Sequence, residues 1–190
     1  MSESMIRGYS LRRTAAFIDV HFDPDTAARV KRDIRDSLEL AATVKPAEWY
    51  PRRHSAAMFR AIATAKQDPT DIYRDLVACG TYICAEATNT FFRVLLKIMT
   101  PALFAKKLPS FWNRDHQGGG YEYDISDVDN KVLALRLVNV ADYDHIAPVA
   151  VGFCEFVLST MGKRGVRIVE SNWSIDAPAP ADVDFRVTWE

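Results

Sequence analysis

The sequence is short of nearly everything that would name a chemistry. Its three cysteines, Cys79, Cys84 and Cys154, are an odd number without metal-type spacing, which excludes a disulfide framework and a cysteine-built zinc site. Cys79 and Cys84 lie five apart on one predicted helix, about 140° around its axis, so they do not share a site and read as buried apolar thiols. No G-x-S-x-G elbow, phosphate-binding glycine loop or H-E-x-x-H occurs, and no cysteine stands in a known catalytic signature. Gly118-Gly119-Gly120 precedes a strand rather than a helix, which argues against phosphate binding at a helix N-terminus. The longest apolar run, Phe91 to Phe104, is broken by Arg93, Lys97 and Pro101 and falls short of about 20 residues, so no membrane span is expected. Met1 to Arg13 is polar and reads as no signal peptide, which makes the cytoplasm the expected compartment. A net charge of −1 gives no general attraction for nucleic acid.

What is present is a folding pattern. A chain of 190 residues with 48% apolar content supports one domain whose core needs neither metal nor disulfide. From Gly118 onward the order is strand, strand, helix, strand, strand. Tyr121 to Ile125 alternates at period two, the polar turn Ser126 to Asn130 follows, and Lys131 to Val138 is aliphatic enough for a central strand, so the two form a hairpin. Asp144 caps a helix with Pro148 in its first turn, and Ile146, Val149, Phe153, Val157 and Met161 give it an apolar stripe. Gly162 and Gly165 end it around Lys163-Arg164. Val166 to Glu170 and Val183 to Trp189 are the last strands, joined by an exposed Pro178-Ala179-Pro180 segment. This half holds 12 acids and 6 bases against 13 acids and 18 bases upstream, a polarity that suits ordinary solvated surface or, alternatively, self-association or partner docking.

Upstream the pattern is helical. Asp23-Pro24 and Asp68-Pro69 are helix starts. The predicted helices run over Thr26 to Leu40, Arg53 to Lys66, Asp68 to about Met99 and Pro101 to Lys107, with a bend at Pro46 to Pro51. Small residues Ala78, Gly80, Ala85 and Ala87 let another element approach the long helix closely. The fold class is therefore α+β: residues 1–190 as one domain, a helical part over about 10–117 packed on a twisted antiparallel sheet of about four strands from 118–190, with a C-terminal β-β-α-β-β block.

The order of Glu48-Trp49-Tyr50-Pro51, the small-residue helix after Asp68, Leu108-Pro109-x-x-Trp112, Gly120-Tyr121-Glu122, Val151-Gly152-Phe153 and Phe185 to Trp189 resembles an uncharacterised paralogous family from myxobacteria and their relatives. The resemblance spans about Trp49 to Glu190. That family is in turn similar to the group holding haem nitric-oxide-binding domains, vinyl-reductase-type ligand-binding domains and small subunits of vesicle-tethering complexes. The resemblance implies helices on a twisted antiparallel sheet with an apolar pocket between them, and a ligand-sensing or partner-binding bacterial module rather than a reaction.

Haem would need an axial ligand from His21, His54, His116 or His145, and none has a recognisable setting. The haem branch holds propionates with a Y-x-S-x-R motif, which is absent, so no cofactor is expected. Asp19, His21, Asp23 and Asp25 would share a face if extended, but Asp23 as a cap and Asp25 in a first helical turn explain them without a metal. Asp124, Asp127 and Asp129 lack the glycine and distal glutamate of a calcium loop. The expected function is a regulatory or sensory module binding a small apolar ligand or lipid, with pocket candidates Ile83, Ala87, Phe91, Trp112, Tyr123, Phe153 and Val157. The alternative is a ligand-free module that forms a homodimer or docks to a regulatory protein. An enzyme would have to use Asp115, His116 and Tyr121, the compact polar group beside the glycine hinge.

Overall fold

Helix starts and stops in this chain follow local side-chain chemistry. The computed structural model describes residues 3–88 and 90–190, with the side chain of Phe91 outside the description. Strand β1 (Met5–Arg7) leads directly into α1 (Gly8–His21), neither of which the sequence reading assigned. Asp23 then caps α2 (Pro24–Arg32), its carboxylate accepting from the N–H groups of Asp25 at 3.1 Å and Thr26 at 3.0 Å. The helix predicted to reach Leu40 breaks at Asp33-Ile34, and α3 (Arg35–Thr43) continues it. The expected bend at Pro46 to Pro51 contains a short strand, β2 (Trp49–Pro51), ahead of α4 (Arg53–Ala63).

Asp68 caps α5 (Pro69–Ala87) in the same way as Asp23 caps α2. This helix stops at Thr88, whose hydroxyl turns back to the Cys84 carbonyl at 2.6 Å, so the stretch to Met99 is a separate helix, α6 (Thr90–Ile98). Helix α7 (Pro101–Asp115) is longer than predicted because it carries Pro109 in its interior rather than ending before it. Strands β3 (His116–Gln117), β4 (Gly120–Asp124) and β5 (Val132–Val138), helix α8 (Ile146–Thr160), and strands β6 (Arg167–Glu170) and β7 (Val183–Thr188) complete the chain. Asp144 does not cap α8: His145 holds the N-cap position at φ +60°, and Asp144 instead pairs with Arg60 at 2.6 Å.

The main sheet is antiparallel in the order β4-β5-β7-β6, with the predicted hairpin registering Tyr121 against Leu137 and Tyr123 against Leu135. Its inner positions Leu133, Leu135, Leu137, Val183, Phe185 and Val187 are buried. A second sheet, β2-β1-β3, ties the first residues of the chain to the end of α7. The architecture is α+β, with one hydrophobic core running from Ile6 in β1 through the helices to Trp189 after β7. The three cysteines are buried and unpaired. Among the described residues, no helix is long and apolar enough to cross a membrane.

Helices α5 and α8 form the tightest junction. A Cβ on Gly80 would stand 2.0 Å from the Val149 carbonyl oxygen, and one on Gly152 would stand 2.0 Å from that of Val77. Each helix offers the other a notch, and backbone packs on backbone.

Candidate functional site

A cavity of about 240 Å³ lies beside this junction. Its wall is mostly helical. Tyr9, Ser10 and Thr14 come from α1, Ser55 and Phe59 from α4, Ile83, Cys84 and Ala87 from α5, and Val149, Phe153 and Val157 from α8. Phe92 of α6 and Leu108, Phe111 and Trp112 of α7 close another side, while the main sheet contributes Tyr121. An engineered cavity of about 150 Å³ stays dry and takes benzene, so this one is large enough for an apolar molecule of greater size.

Of the residues singled out from the sequence, Ile83, Ala87, Trp112, Phe153 and Val157 lie along this cavity. Tyr123 does not. It shares the face of Tyr121 by the strand period, but edge strand β4 carries it beyond the helical cover, where it is 41% exposed. The side chain of Phe91 lies outside the described residues. Tyr9, Ser55 and Tyr143, which also line the cavity, were not anticipated.

The polar side is built around His116. As the C-cap of α7 its N–H donates to the Trp112 carbonyl, and strand pairing sets it opposite Ile6 of β1. Its ring stacks on Trp112 at 3.9 Å with the planes 12° apart. Trp112 Nε1 donates to the Gly118 carbonyl at 3.1 Å, and Arg52 Nη1 donates to the same oxygen at 3.0 Å. Arg52, fully buried, also pairs with Asp142 and lies over the Tyr143 ring at 4.9 Å. Tyr143 completes the frame through Ser55 Oγ at 2.8 Å and a stack on Phe59. Arg52→Met removes two charge-assisted hydrogen bonds and the cation over Tyr143 while Asp142 returns to water, so about 2–3 kcal/mol of stability is expected to be lost in urea denaturation.

His116 is the one histidine that lines the cavity among the described residues, and its Nδ1 is enclosed without a hydrogen-bond partner. Burial pushes its pKa down to about 4, the opposing pull of Asp115 being smaller, so the imidazole is neutral near pH 7. Burial also pushes the Cys84 thiol up to about 12 and raises Tyr9, Tyr121 and Tyr143 above the ordinary phenol range. The titratable wall groups other than the Arg114–Asp115 pair are therefore uncharged; that pair is joined by bonds of 2.8 and 2.6 Å and also engages the Tyr9 hydroxyl.

The depressed imidazole sets a pH dependence. Between about pH 6.5 and 4 the unfolded chain holds a proton at residue 116 that the folded chain does not, so stability is full above about 6.5 and falls as the pH drops toward 4. His54 and His145 are lowered by burial as well and act in the same direction. Denaturant melts of the protein without added ligand are expected to lose of order 2 kcal/mol across this window because of His116, and His116→Gln is expected to flatten the profile.

Among the described residues no three histidine, cysteine or carboxylate side chains are grouped to hold a metal ion. The Asp19-His21-Asp23-Asp25 alternation is not extended. Asp19 and His21 end α1, where they pair with Lys31 and, at 2.7 Å, Asp75, while Asp23 and Asp25 begin α2.

No family model matches the chain, and no curated protein matches it. Solved structures do. An H-NOX protein from S. oneidensis in the Fe(II)NO ligation state aligns with a TM-score of 0.67 at 11% identity, covering 97% of this chain and 99% of its own. A Cs H-NOX mutant carrying 4-cyano-L-phenylalanine aligns at 0.70 with 9% identity and 97% of both chains. A third structure, concerned with modulating haem redox potential through protein-induced porphyrin distortion, aligns at 0.61 with 9% identity over 97% of this chain and 99% of its own.

These alignments overturn the expectation that no cofactor is involved, since the fold shared from end to end is that of haem nitric-oxide-binding domains. The residues present meet the first requirement of such a group. A neutral imidazole with an enclosed, unpartnered Nδ1 belongs to the polar side of a largely apolar cavity, and among the described lining residues no other side chain offers an unencumbered nitrogen donor. The cavity at its present volume is smaller than a porphyrin, so entry of one requires the wall to open. Over nearly its whole length, this chain has the fold of H-NOX domains.

Proposed function

We propose that this chain is a non-enzymatic sensory domain that encloses an apolar ligand in the cavity between α1, α5, α7 and α8, with haem as the ligand and His116 as the residue that would hold its iron. The observation that carries this reading is the neutral imidazole of His116, its Nδ1 enclosed without a partner, among the residues lining a largely apolar cavity in a fold shared with haem domains. Haem would supply an iron centre able to take a diatomic gas, as the Fe(II)NO state of the S. oneidensis protein illustrates.

The chain's own groups do the holding. Stacking on Trp112 fixes the plane of His116, and the bonds from Trp112 and Arg52 to the Gly118 carbonyl fix Trp112 in turn. This differs from the usual arrangement in which a ligating histidine donates its second nitrogen to a carbonyl or carboxylate. Ile83, Phe153 and Val157 keep water from the apolar end. The uncharged thiol and phenols are poor nucleophiles and bases near neutral pH, which supports sensing over turnover. The purified protein is expected to take up ferrous haem to one equivalent, read as a saturating Soret band; uptake that never saturates would count against the proposal.

A further inference from the structure

We propose that the solvent side of α6 and of the first two turns of α7 is a docking surface for an anionic lipid bilayer. These helices turn Leu96, Phe104 and Leu108 fully inward, yet Val94 is 57% exposed, Ile98 76% and Leu103 43%, with Leu95 beside them at 37%. Val94 and Ile98 are four apart and Leu95 and Ile98 three apart on α6, so that helix carries them on one side, and Leu103 follows in the first turn of α7.

The charge along α6 and the first two turns of α7 has one sign. Between Glu86 and Asp115 the sequence contains no acidic residue, but it holds Arg93, Lys97, Lys106, Lys107 and Arg114. Lys97, Lys106 and Lys107 are exposed, and none of them pairs with a carboxylate among the described residues. A short apolar row rimmed by unpaired ammonium groups fits a surface that offers acyl chains below and phosphate or carboxylate groups above.

A second copy of the chain fits less well. The acidic half from Gly118 onward could meet the charge, but its exposed large apolar residues are Tyr123 on edge strand β4 and Val169 on edge strand β6, at opposite sides of the sheet. Neither provides a continuous cover for Val94, Ile98 and Leu103. An anionic bilayer supplies both complements at once. The same helices present Phe92, Leu108 and Phe111 to the cavity, so the docked bilayer lies behind one cavity wall.

The test is co-sedimentation of the full chain with phosphatidylcholine vesicles and with vesicles in which a third of the lipid is phosphatidylserine. Binding is expected to the second kind only, and raised salt should weaken it. The triple substitution Lys97→Glu, Lys106→Glu, Lys107→Glu is expected to lower partitioning by more than about tenfold, with an unchanged melting temperature because these side chains are solvated. Ile98→Ser with Leu103→Ser is expected to lower it with the charge intact. The proposal is overturned if neither vesicle carries the protein down, if both do so equally, or if the substitutions leave binding unchanged. It is also overturned if the patch instead holds two chains together, shown by a dimeric mass in solution that the Ile98→Ser, Leu103→Ser variant reduces to that of one chain.

Discussion

Gly152→Ala is expected to destabilise the fold by about 3 kcal/mol or more, although intrinsic helix propensity favours alanine by about 1 kcal/mol. The sign of the change is the informative part. An open helical position gains stability from alanine, but here the new methyl would stand 2.0 Å from the Val77 carbonyl oxygen and 2.8 Å from the Thr81 nitrogen. Both neighbours are backbone, so no rotamer change relieves the overlap. The two helices must separate, which would also break the 3.2 Å bond from Thr81 Oγ1 to the Gly152 carbonyl. Gly80→Ala makes the reciprocal clash with Val149 and is expected to act alike. Chemical denaturation of both variants reads the loss. Since Gly80, Ile83, Val149 and Phe153 also line the cavity, a variant that still folds is expected to bind ligand more weakly.

The second large effect is at His116. Replacing it by phenylalanine keeps an aromatic ring to stack on Trp112 and removes the buried nitrogen that has no partner, so the fold is expected to be retained or slightly stabilised. Haem affinity is expected to fall by more than about 100-fold, because the perturbation removes the ligand itself rather than a supporting contact, for which losses of about 10- to 100-fold are usual. Binding and stability should therefore move in opposite directions, an outcome that a merely structural role for His116 does not produce. His116→Ala is less diagnostic, since it also opens a void beside Trp112.

Much of the fold was legible because its signals are local. Asp23-Pro24 and Asp68-Pro69 start helices through side-chain caps, the Ser126 to Asn130 turn sets the β4-β5 hairpin, and Gly80 marks a close helix approach in its own sequence context. The errors arose where tertiary contacts decide. Helix α1 begins without a side-chain cap and has no acid in its first turn, yet Leu11, Thr14, Phe17 and Ile18 carry the helical spacing that would have revealed it. Pro109 sits inside α7 against the local rule for proline. Strands β1, β2 and β3 are two or three residues long and exist only because distant segments meet, which no periodicity reports.

The site was legible in part for the same reason. Ile83, Phe153 and Val157 follow from helical stripes, and Trp112 from its place before the glycine hinge. Tyr123 misled because strand alternation gives the face of a residue but not how far along the strand the helices reach. Tyr9, Ser55 and Tyr143 come from three separate segments and carry no shared motif. His116 was visible as a candidate ligand, but no sequence pattern marked its setting, which is made by Trp112 and by segments distant in the chain, and the missing Y-x-S-x-R motif concerns the propionates rather than the iron.

The most direct measurement is an absorbance titration of the ligand-free protein and of His116→Phe with haem under reducing conditions. The account predicts a Soret band in the wild-type chain that saturates at one haem per chain and changes on exposure to nitric oxide, with no saturating band in the variant. Uptake by both proteins with the same affinity and the same spectrum, or by neither, would contradict it.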